Sequence, residues 1–541
     1  MVKKPFFLFV LFWFFNTPFN LFAQSLESTQ IEQRSFGPSV GLEIVSSFDG
    51  LGEGFEGPQG KTYFRNPSDN SIAVGPDHIV QTVNSRMAVF TKEGKKYNKT
   101  GAILYGPGET RNVFKGFGGP CDDINNGDAV VRYDQIADRW LIVMPTFRRA
   151  LPKHDTLPFK KFPGGVEVGS SVNPGPAAPL FQPGYVMEDR PTTRKKLPPD
   201  TVGTYCMCYA ISTSSDPLGT YYRYEFRRER FPDYPRPALW HDGYYTTTST
   251  GDHLNERHAY VVDRSKMLQG LPATEQWFIL PDVNFIIHAD TDGKNLPDSS
   301  TPAIMMATGG DQLNNITADD GIYAWKHFTN WIDPSQSRLD GPTKISVAPY
   351  RYLGGGQLTK AVPQPGTDIR LDAQGDKLMA RLVYRQIGKN GKIVGVHSVE
   401  AAAGGGVRWY EFESKSSGNV KLQAQGTYAP EKGYRWMASP ALDIKGNIFI
   451  GFSFSDEKNY PGQRMVARSS KARGSEMNFE EIVLVKGEAS QTTTLRWEDY
   501  TQTAVDPSDE SLIWYVGDYL KKEAAEYSTR IVAVRIKNSK K

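Results

Sequence analysis

Cysteine is scarce: three residues in 541, at positions 121, 206 and 208. So few thiols exclude a disulfide-dense scaffold, and the C-x-C spacing of Cys206 and Cys208 is too sparse for a zinc site. What remains is one disulfide, Cys121 with either Cys206 or Cys208, and one thiol left over. Net charge is scarce too, since 63 Lys and Arg against 60 Asp and Glu leave a formal +3. That balance lacks the concentrated basic footprint that phosphate backbones demand, which argues against a nucleic-acid partner. No phosphate loop, dinucleotide fingerprint or heme or flavin signature is present, so no cofactor is expected as a requirement. Long apolar runs are confined to the start, where Lys3 and Lys4 precede an apolar stretch from Pro5 to Phe15 and Ala23 stands before Gln24. This is the layout of a cleaved export signal over residues 1–23, too short to span a bilayer comfortably. The expectation is an extracytoplasmic chain, secreted, periplasmic or at the cell surface, with no membrane span after cleavage; the competing reading is an uncleaved anchor.

What the chain has in quantity is alternation about tight turns. In Arg435–Ser455, RWMASPALDIKGNIFIGFSFS, small and apolar residues alternate, a turn follows at Asp443–Asn447, and a second strand returns through Ile448, Ile450 and Phe452. Such a pattern predicts a hairpin. Related units start at Ser71 (SIAVGPDHIVQTVNSRMAVF), Asp128 (DAVVRYDQIADRWLIVM) and Arg236 (RPALWHDGYYTTTST), with weaker copies at Thr301 and Leu378 and a last one at Thr501. A unit of strand, turn, strand and one or two further strands, said about seven times, predicts an all-β fold: a single β-propeller of four-stranded blades. Residues 66–541 form it in this reading, preceded over 24–65 by a linker and a lone strand. Either that strand, SVGLEIVSSF, or the C-terminal TRIVAVRI closes the ring. Between RWLIVMPTF and TYCMCYAIS, the segment 148–202 is rich in Pro, Gly and basic residues and lacks period-2 alternation. It reads as a long loop between the second and third strands of the second blade, either a lid or a plain surface insertion.

These copies carry a resemblance. SIAVGPDHIVQTVNS, GDAVVRYDQIADRWLI, YAISTSSDPLGTYYRYEF, DYPRPALWHDGYY, LDAQGDKLMARLVYR, GVRWYEF, RWMASPALDIKGNIFIGFSFS and RWEDYTQTAVDPSDESLIWYVGDY, in that order, resemble a family of secreted bacterial β-propeller proteins loosely called sialidase-like, whose activity is not established. The resemblance spans roughly 66–536 and implies the fold and export. It does not imply sialidase activity, because the S-x-D-x-G-x-T-W turns of true sialidases are absent. The chain departs from the family pattern in the 148–202 insertion and at Glu498, where glycine is commoner.

Propeller sites form where inner strands begin, beside the central channel. Reading each copy there gives candidate binding residues Asp69, Asp128, Asp233, Arg236, Arg370, Arg435, Trp436, Arg496 and Trp497. Aromatic faces cover the C–H side of a pyranose while Asp and Arg bond its hydroxyls or carboxylate, so the expected ligand is a polysaccharide or cell-surface glycan. The plainer reading makes the recurring Arg-Trp pairs packing devices between blades. Glu498, Asp499 and Tyr500 cluster in one turn, and with a channel Asp they supply an acid and a base for glycoside hydrolysis. For β-elimination, Tyr500 or His397 is the candidate proton abstractor, His397 being placed on the binding face. Close oxygen spacing in CDDINNGD (Asp123, Asn125, Asp128) and HADTDGKN (Asp290, Asp292) makes calcium the candidate ion, against ordinary Asx turns, since neither loop has the complete pattern with its terminal Glu. A non-catalytic binding or scaffold propeller that engages a glycan or a protein partner is the alternative function.

Overall fold

The computed structural model describes residues 28–62, 65–147, 205–228, 231–249, 256–313, 317, 319–356 and 360–537, together with the strand Gly165–Val168. The proposed signal over 1–23 and almost all of the 148–202 insertion lie outside the described residues.

The hairpin expected in the Arg435 unit pairs Gly433–Leu442 antiparallel with Ile448–Ser455. Its turn is closed by chemistry local to the sequence. Asp443 Oδ1 accepts from the backbone N–H of Lys445 and of Asn447, each at 2.8 Å, and Gly446 takes φ 73°. An Asp that bonds its own downstream backbone and a glycine in the left-handed region together reverse the chain at little cost. Both faces of Ile448–Ser455 are buried, so this strand lies between neighbouring sheets.

The same meander recurs along the chain. Ser71–Val74, His78–Val83, Arg86–Thr91 and Ile103–Glu109 form the first four-stranded sheet. Val130–Asp134, Arg139–Thr146, Tyr205–Ser212 and Tyr221–Arg228 form the second, and Asp233–Leu239, Gly243–Ser249, Glu256–Asp263 and Thr274–Pro281 the third. A fourth runs Ile287–Thr291, Ala303–Thr308, Ile322–Phe328 and Arg338–Ile345, followed by a fifth in Leu382–Ile387, Asn390–Ala401, Gly404–Ser414 and Val420–Tyr428. A sixth continues the Arg435 hairpin through Gly462–Arg468 and Ile482–Val485, and the last is Gln502–Val505, Ile513–Tyr519 and Ser528–Ile536. Each first strand lies beside the first strand of the next meander, and Gln502–Val505 returns to lie beside Ser71–Val74. The arrangement is propeller-like: first strands innermost around an axis, apolar faces buried between successive sheets. Trp140, Trp240, Trp409, Trp436, Trp497 and Trp514 are all fully buried.

In the fourth unit the first strand is Ile287–Thr291, so TPAIMMATGG, read as the start of a copy, is the second strand.

Closure is made by the N-terminal strand. Leu42–Asp49 pairs antiparallel with Ser528–Ile536 and becomes the fourth strand of the last sheet. The residues before it run along the outer edges of two other sheets: Glu32–Gln33 pairs parallel with Thr427–Tyr428, and Ser39 bridges to Phe479. Gly37 lets the strap lie flat, because a Cβ there would meet the Phe479 carbonyl oxygen at 2.4 Å.

The segment 148–202 connects Arg139–Thr146 to Tyr205–Ser212, which pair directly. Its segment Gly165–Val168 adds a fifth strand to the third sheet, against Thr274–Pro281. Of the two disulfides open in the sequence, Cys121–Cys208 is the one formed. Cys206 stays a buried thiol, and burial pushes it up to about 12, far from a reactive thiolate.

Candidate functional site

Because the first strands stand side by side, the residues at their starts converge on one end of the axis, the mouth. Several hold strained backbone: Asp69, Asp128, Tyr234, Glu498 and Asp499 have φ of 51°, 55°, 54°, 58° and 65°. Non-glycine residues in this region cost on the order of 1 kcal/mol each and persist where surrounding bonds over-determine them. The Asp69 N–H donates to the Glu498 carbonyl at 2.8 Å, and Asn84 Nδ2 donates to Asp69 Oδ2 at 2.7 Å.

Four carboxyl groups meet there. Asp69 and Asp128 hydrogen-bond each other, and Asp128 also reaches Asp233. Among the described residues no N–H or O–H outside the carboxyl row reaches Asp69 Oδ1, and that oxygen is satisfied when the two carboxyls share a proton. Burial and the charges of Asp128 and Asp499 push Asp69 well above the usual carboxylate range. The same causes push Asp233 up to about 7. Burial and Asp499 also raise Asp128, against the pull of its Asp69 hydrogen bond, of Arg236 and of the Tyr234 N–H at 3.4 Å. Asp499 accepts from Gln374 Nε2 at 2.8 Å and pairs with Arg496, whose Nε also lies 3.3 Å from Asp372. Asp69 is fully buried, whereas Asp128, Asp233, Arg496 and Asp499 are partly exposed.

Arg236 lies beneath them. Its guanidinium stacks 3.8 Å from the Tyr234 ring centre and 3.5 Å from that of Tyr500, and it is 2% exposed. Among the described residues none of its nitrogens finds a well-aligned acceptor. Lys377, which the sequence reading passed over, adds a second buried cation, donating to Gln374 Oε1 at 2.6 Å and pairing with Asp376. The adjacent Asp376-Lys377 pair just ahead of the fifth inner strand was the signal available for it.

Other expected site residues lie elsewhere. His397 falls inside the long strand Asn390–Ala401 rather than at its end on the binding face. It is fully buried, shares a 2.9 Å hydrogen bond with the Tyr410 hydroxyl, and burial holds it well below the usual imidazole range. Arg370 donates to the Lys360 and Ala361 carbonyls in its own hairpin. Arg435 is fully buried against Glu481 at 2.8 Å, and Trp436 packs against Trp497 in the core. Trp497 Nε1 donates to Ser453 Oγ, and the Glu498 side chain turns away from the mouth to accept from Ser453 Oγ at 2.8 Å and from the Asp518 N–H. Burial and Asp518 raise Glu498 well above the usual range. Tyr500 remains at the mouth, but Arg236 covers its ring and it is 1% exposed.

The oxygen-rich loops are likewise engaged. Asn125 Oδ1 accepts from Thr110 Oγ1 at 3.0 Å, and Asp123 is exposed. Asp290 and Asp292 sit at the opposite end of the axis, where Arg381 pairs with both, 2.7 Å from Asp290. Arg132 lies 3.1 Å from Asp290. These four border a cavity of about 30 Å³, room for about one or two waters. Among the described residues no group of three or more His, Cys, Asp or Glu is arranged to hold a metal ion.

No family model and no curated protein matches the chain. Among solved structures it is similar to the polysaccharide lyase Uly1, with TM-score 0.36 and 10% identity over 92% of this chain and 100% of that one. It is similar also to a protein of unknown function from Dyadobacter fermentans, with TM-score 0.35 and 8% identity over 92% and 100% of the two chains. Drosophila Semaphorin 1b, extracellular domains 1-2, matches at TM-score 0.35 and 7% identity, over 94% of this chain and 88% of that one.

Proposed function

We propose that this chain is an exported seven-bladed propeller that engages a glycan at the mouth of its axis and hydrolyses it. The blade count is supported by the ring order of the first strands and by Leu42–Asp49 completing the last sheet. Export is supported by the Cys121–Cys208 disulfide, a bond of oxidising compartments. The observation that carries the function is the pairing of unlike carboxyls on one polar surface: Asp233, which holds its proton to about 7, and Asp499, ion-paired with Arg496. Hydrolysis of a glycoside needs this division of labour, an acid that protonates the leaving oxygen and a carboxylate that activates water. Asp233 takes the first role and Asp499 the second.

β-Elimination is less favoured, because His397, Arg370 and Arg435 are bound elsewhere and Tyr500 is covered. Incubating the mature protein with acidic and neutral polysaccharides tests the reading, following new reducing ends and the ultraviolet absorbance of unsaturated uronates together. The expected result is reducing ends without absorbance from one glycan, and a loss of roughly 10²–10⁴-fold in Asp233→Asn or Asp499→Asn. Silence on both signals, with one glycan retained in an affinity gel, would move the protein to the binding class, which the near-complete burial of Asp69, Arg236 and Tyr500 favours.

A further inference from the structure

The hydrolytic reading gives Arg236 no task of its own. The side chain stands on the first strand of the third sheet, in the corner formed by two tyrosine rings that meet edge to face, and it is 2% exposed. A guanidinium covered in this way does not touch a ligand; it acts on what already surrounds it. A buried cation is costly unless an opposite charge stands near. Here that charge is Asp128, which takes the N–H of Tyr234 at 3.4 Å while Arg236 covers the ring of the same tyrosine, and the guanidinium draws Asp128 toward its ionised form. Asp128 is the middle of a row, hydrogen-bonded to Asp69 on one side and to Asp233 on the other. Asp69 draws on Arg496 instead.

We propose that Arg236 is a positioning residue: its charge keeps Asp128 ionised, so that the middle carboxylate accepts an O–H from each neighbour and the proton offered to a ligand rests on Asp233, at the partly exposed end. An ionised middle member has two oxygens and serves both neighbours at once. A protonated one donates its O–H to one neighbour, which must then be the ionised member, and has only its carbonyl oxygen left to accept from the other. The raised proton affinities of Asp69 and Asp233 agree with this order.

Other groups that face the row are independent of Arg236. Ser249 Oγ donates to Asp233 Oδ2 at 3.3 Å, and Arg257 on the third strand of the same sheet is attracted to Asp233. Asn84 holds Asp69, and Asp499 with Arg496 faces the row from the last sheet's leading turn. Lys377 and Asp376 approach from ahead of the fifth inner strand, against Tyr234.

The proposal rests on the hydrolytic reading only for the use made of the proton; the order of protons belongs to the free protein and is tested without any glycan. The full mature chain, labelled with ¹³C in Asp side chains, is titrated by NMR from about pH 4 to about pH 9. The Asp233 and Asp128 signals are assigned by their loss in Asp233→Asn and Asp128→Asn, and circular dichroism checks the fold of each variant. In the parent chain Asp233 is expected to titrate near 7. Arg236→Met is expected to move Asp128 up and Asp233 down, in opposite directions and each by about one pH unit or more, while Arg236→Lys restores both. Asp128→Asn leaves the burial of Asp233 in place but removes the charge beside it, so Asp233 is expected to fall by about one pH unit or more, and this decides the matter if Arg236→Met does not fold. Midpoints that stay put, or move in the same direction, in a folded Arg236→Met overturn the proposal, as does an unmoved Asp233 in Asp128→Asn. Glycan cleavage with unmoved midpoints would leave the hydrolytic reading standing and end this one; opposite shifts in a chain that cleaves nothing would do the reverse.

Discussion

The two ends of the axis are built from the same inner strands, yet they handle charge in opposite ways. At the far end Arg132, Arg381, Asp290 and Asp292 are buried together as ion pairs, with the Leu239 and Leu442 N–H groups donating to remaining carboxylate oxygens. At the mouth, carboxyls face carboxyls, Arg496 pairs with Asp499 alone of the four, Arg236 has ring faces for neighbours, and the backbone is held at positive φ. A protein that can pair its channel charges at one end and leaves them crowded at the other spends stability where it is not needed for folding. Such spending is characteristic of sites that act on something else.

The comparison breaks most visibly by removing the far-end cation. Arg381→Met leaves Asp290 and Asp292 buried without their shared partner, and a loss of about 3–5 kcal/mol in urea unfolding is expected. A loss under about 1 kcal/mol would mean that the far end is no more committed to stability than the mouth. Asp128→Asn makes a different change. It relieves a crowded cluster at nearly constant shape but also takes away the charge that faces buried Arg236, so the two effects offset and stability is expected to change by no more than about 1 kcal/mol while glycan cleavage falls. A variant destabilised as strongly as Arg381→Met would make the mouth structural.

Much of this was legible in the sequence, and the reasons it stopped are physical. Alternation, Asx turns and repeat spacing are local, so the hairpin at Asp443, the insertion after the second strand and the convergence of inner-strand starts could be read from short stretches. Which group faces which could not, because the Asp69 N–H meets the Glu498 backbone carbonyl across the ring closure and Arg435 meets Glu481 only after the outer strand folds back. A residue's position along a strand says little about rotation. Glu498 and Asp499 are neighbours, yet one points into the gap between sheets and the other into the mouth. His397, expected on the binding face, lies in the interior for a similar reason, well inside a strand of twelve residues.

A smaller effect separates the ends by pH. Asp233 and Asp372 each titrate near 7 in the folded chain, against about 3.9 when unfolded. The folded state therefore holds protons that the unfolded state has released. The contribution of these groups to stability is whole below about pH 4 and is lost as pH rises through about 7. Buried His288, His327 and His397, all lowered, work the other way, because the unfolded chain takes up protons below about 6.5 that the folded chain refuses. The raw profile mixes the two, so the difference between parent and Asp128→Asn is the useful curve. It is expected to open by on the order of 1 kcal/mol across this window, in favour of the variant at the higher pH. A flat difference would place the crowding elsewhere.

The smallest expected effect falls on the residue that sequence reading favoured as a catalyst. Glu498 holds its proton, its oxygens accept from Ser453 and the Asp518 N–H, and it has no exposure to the mouth. A glutamine copies the shape and neutrality of such a group and must only re-aim one hydrogen bond toward Ser453. Glu498→Gln is therefore expected to change stability by no more than about 1 kcal/mol and to leave glycan cleavage intact. Glu498→Ala, which opens a cavity and orphans the Ser453 hydroxyl, should cost more in stability while leaving the chemistry of the folded fraction alone. If Glu498→Gln instead abolished cleavage in a stable chain, the proton on Glu498 would belong to the reaction, and the line between structural and reacting carboxyls would have to be drawn one residue deeper than the mouth.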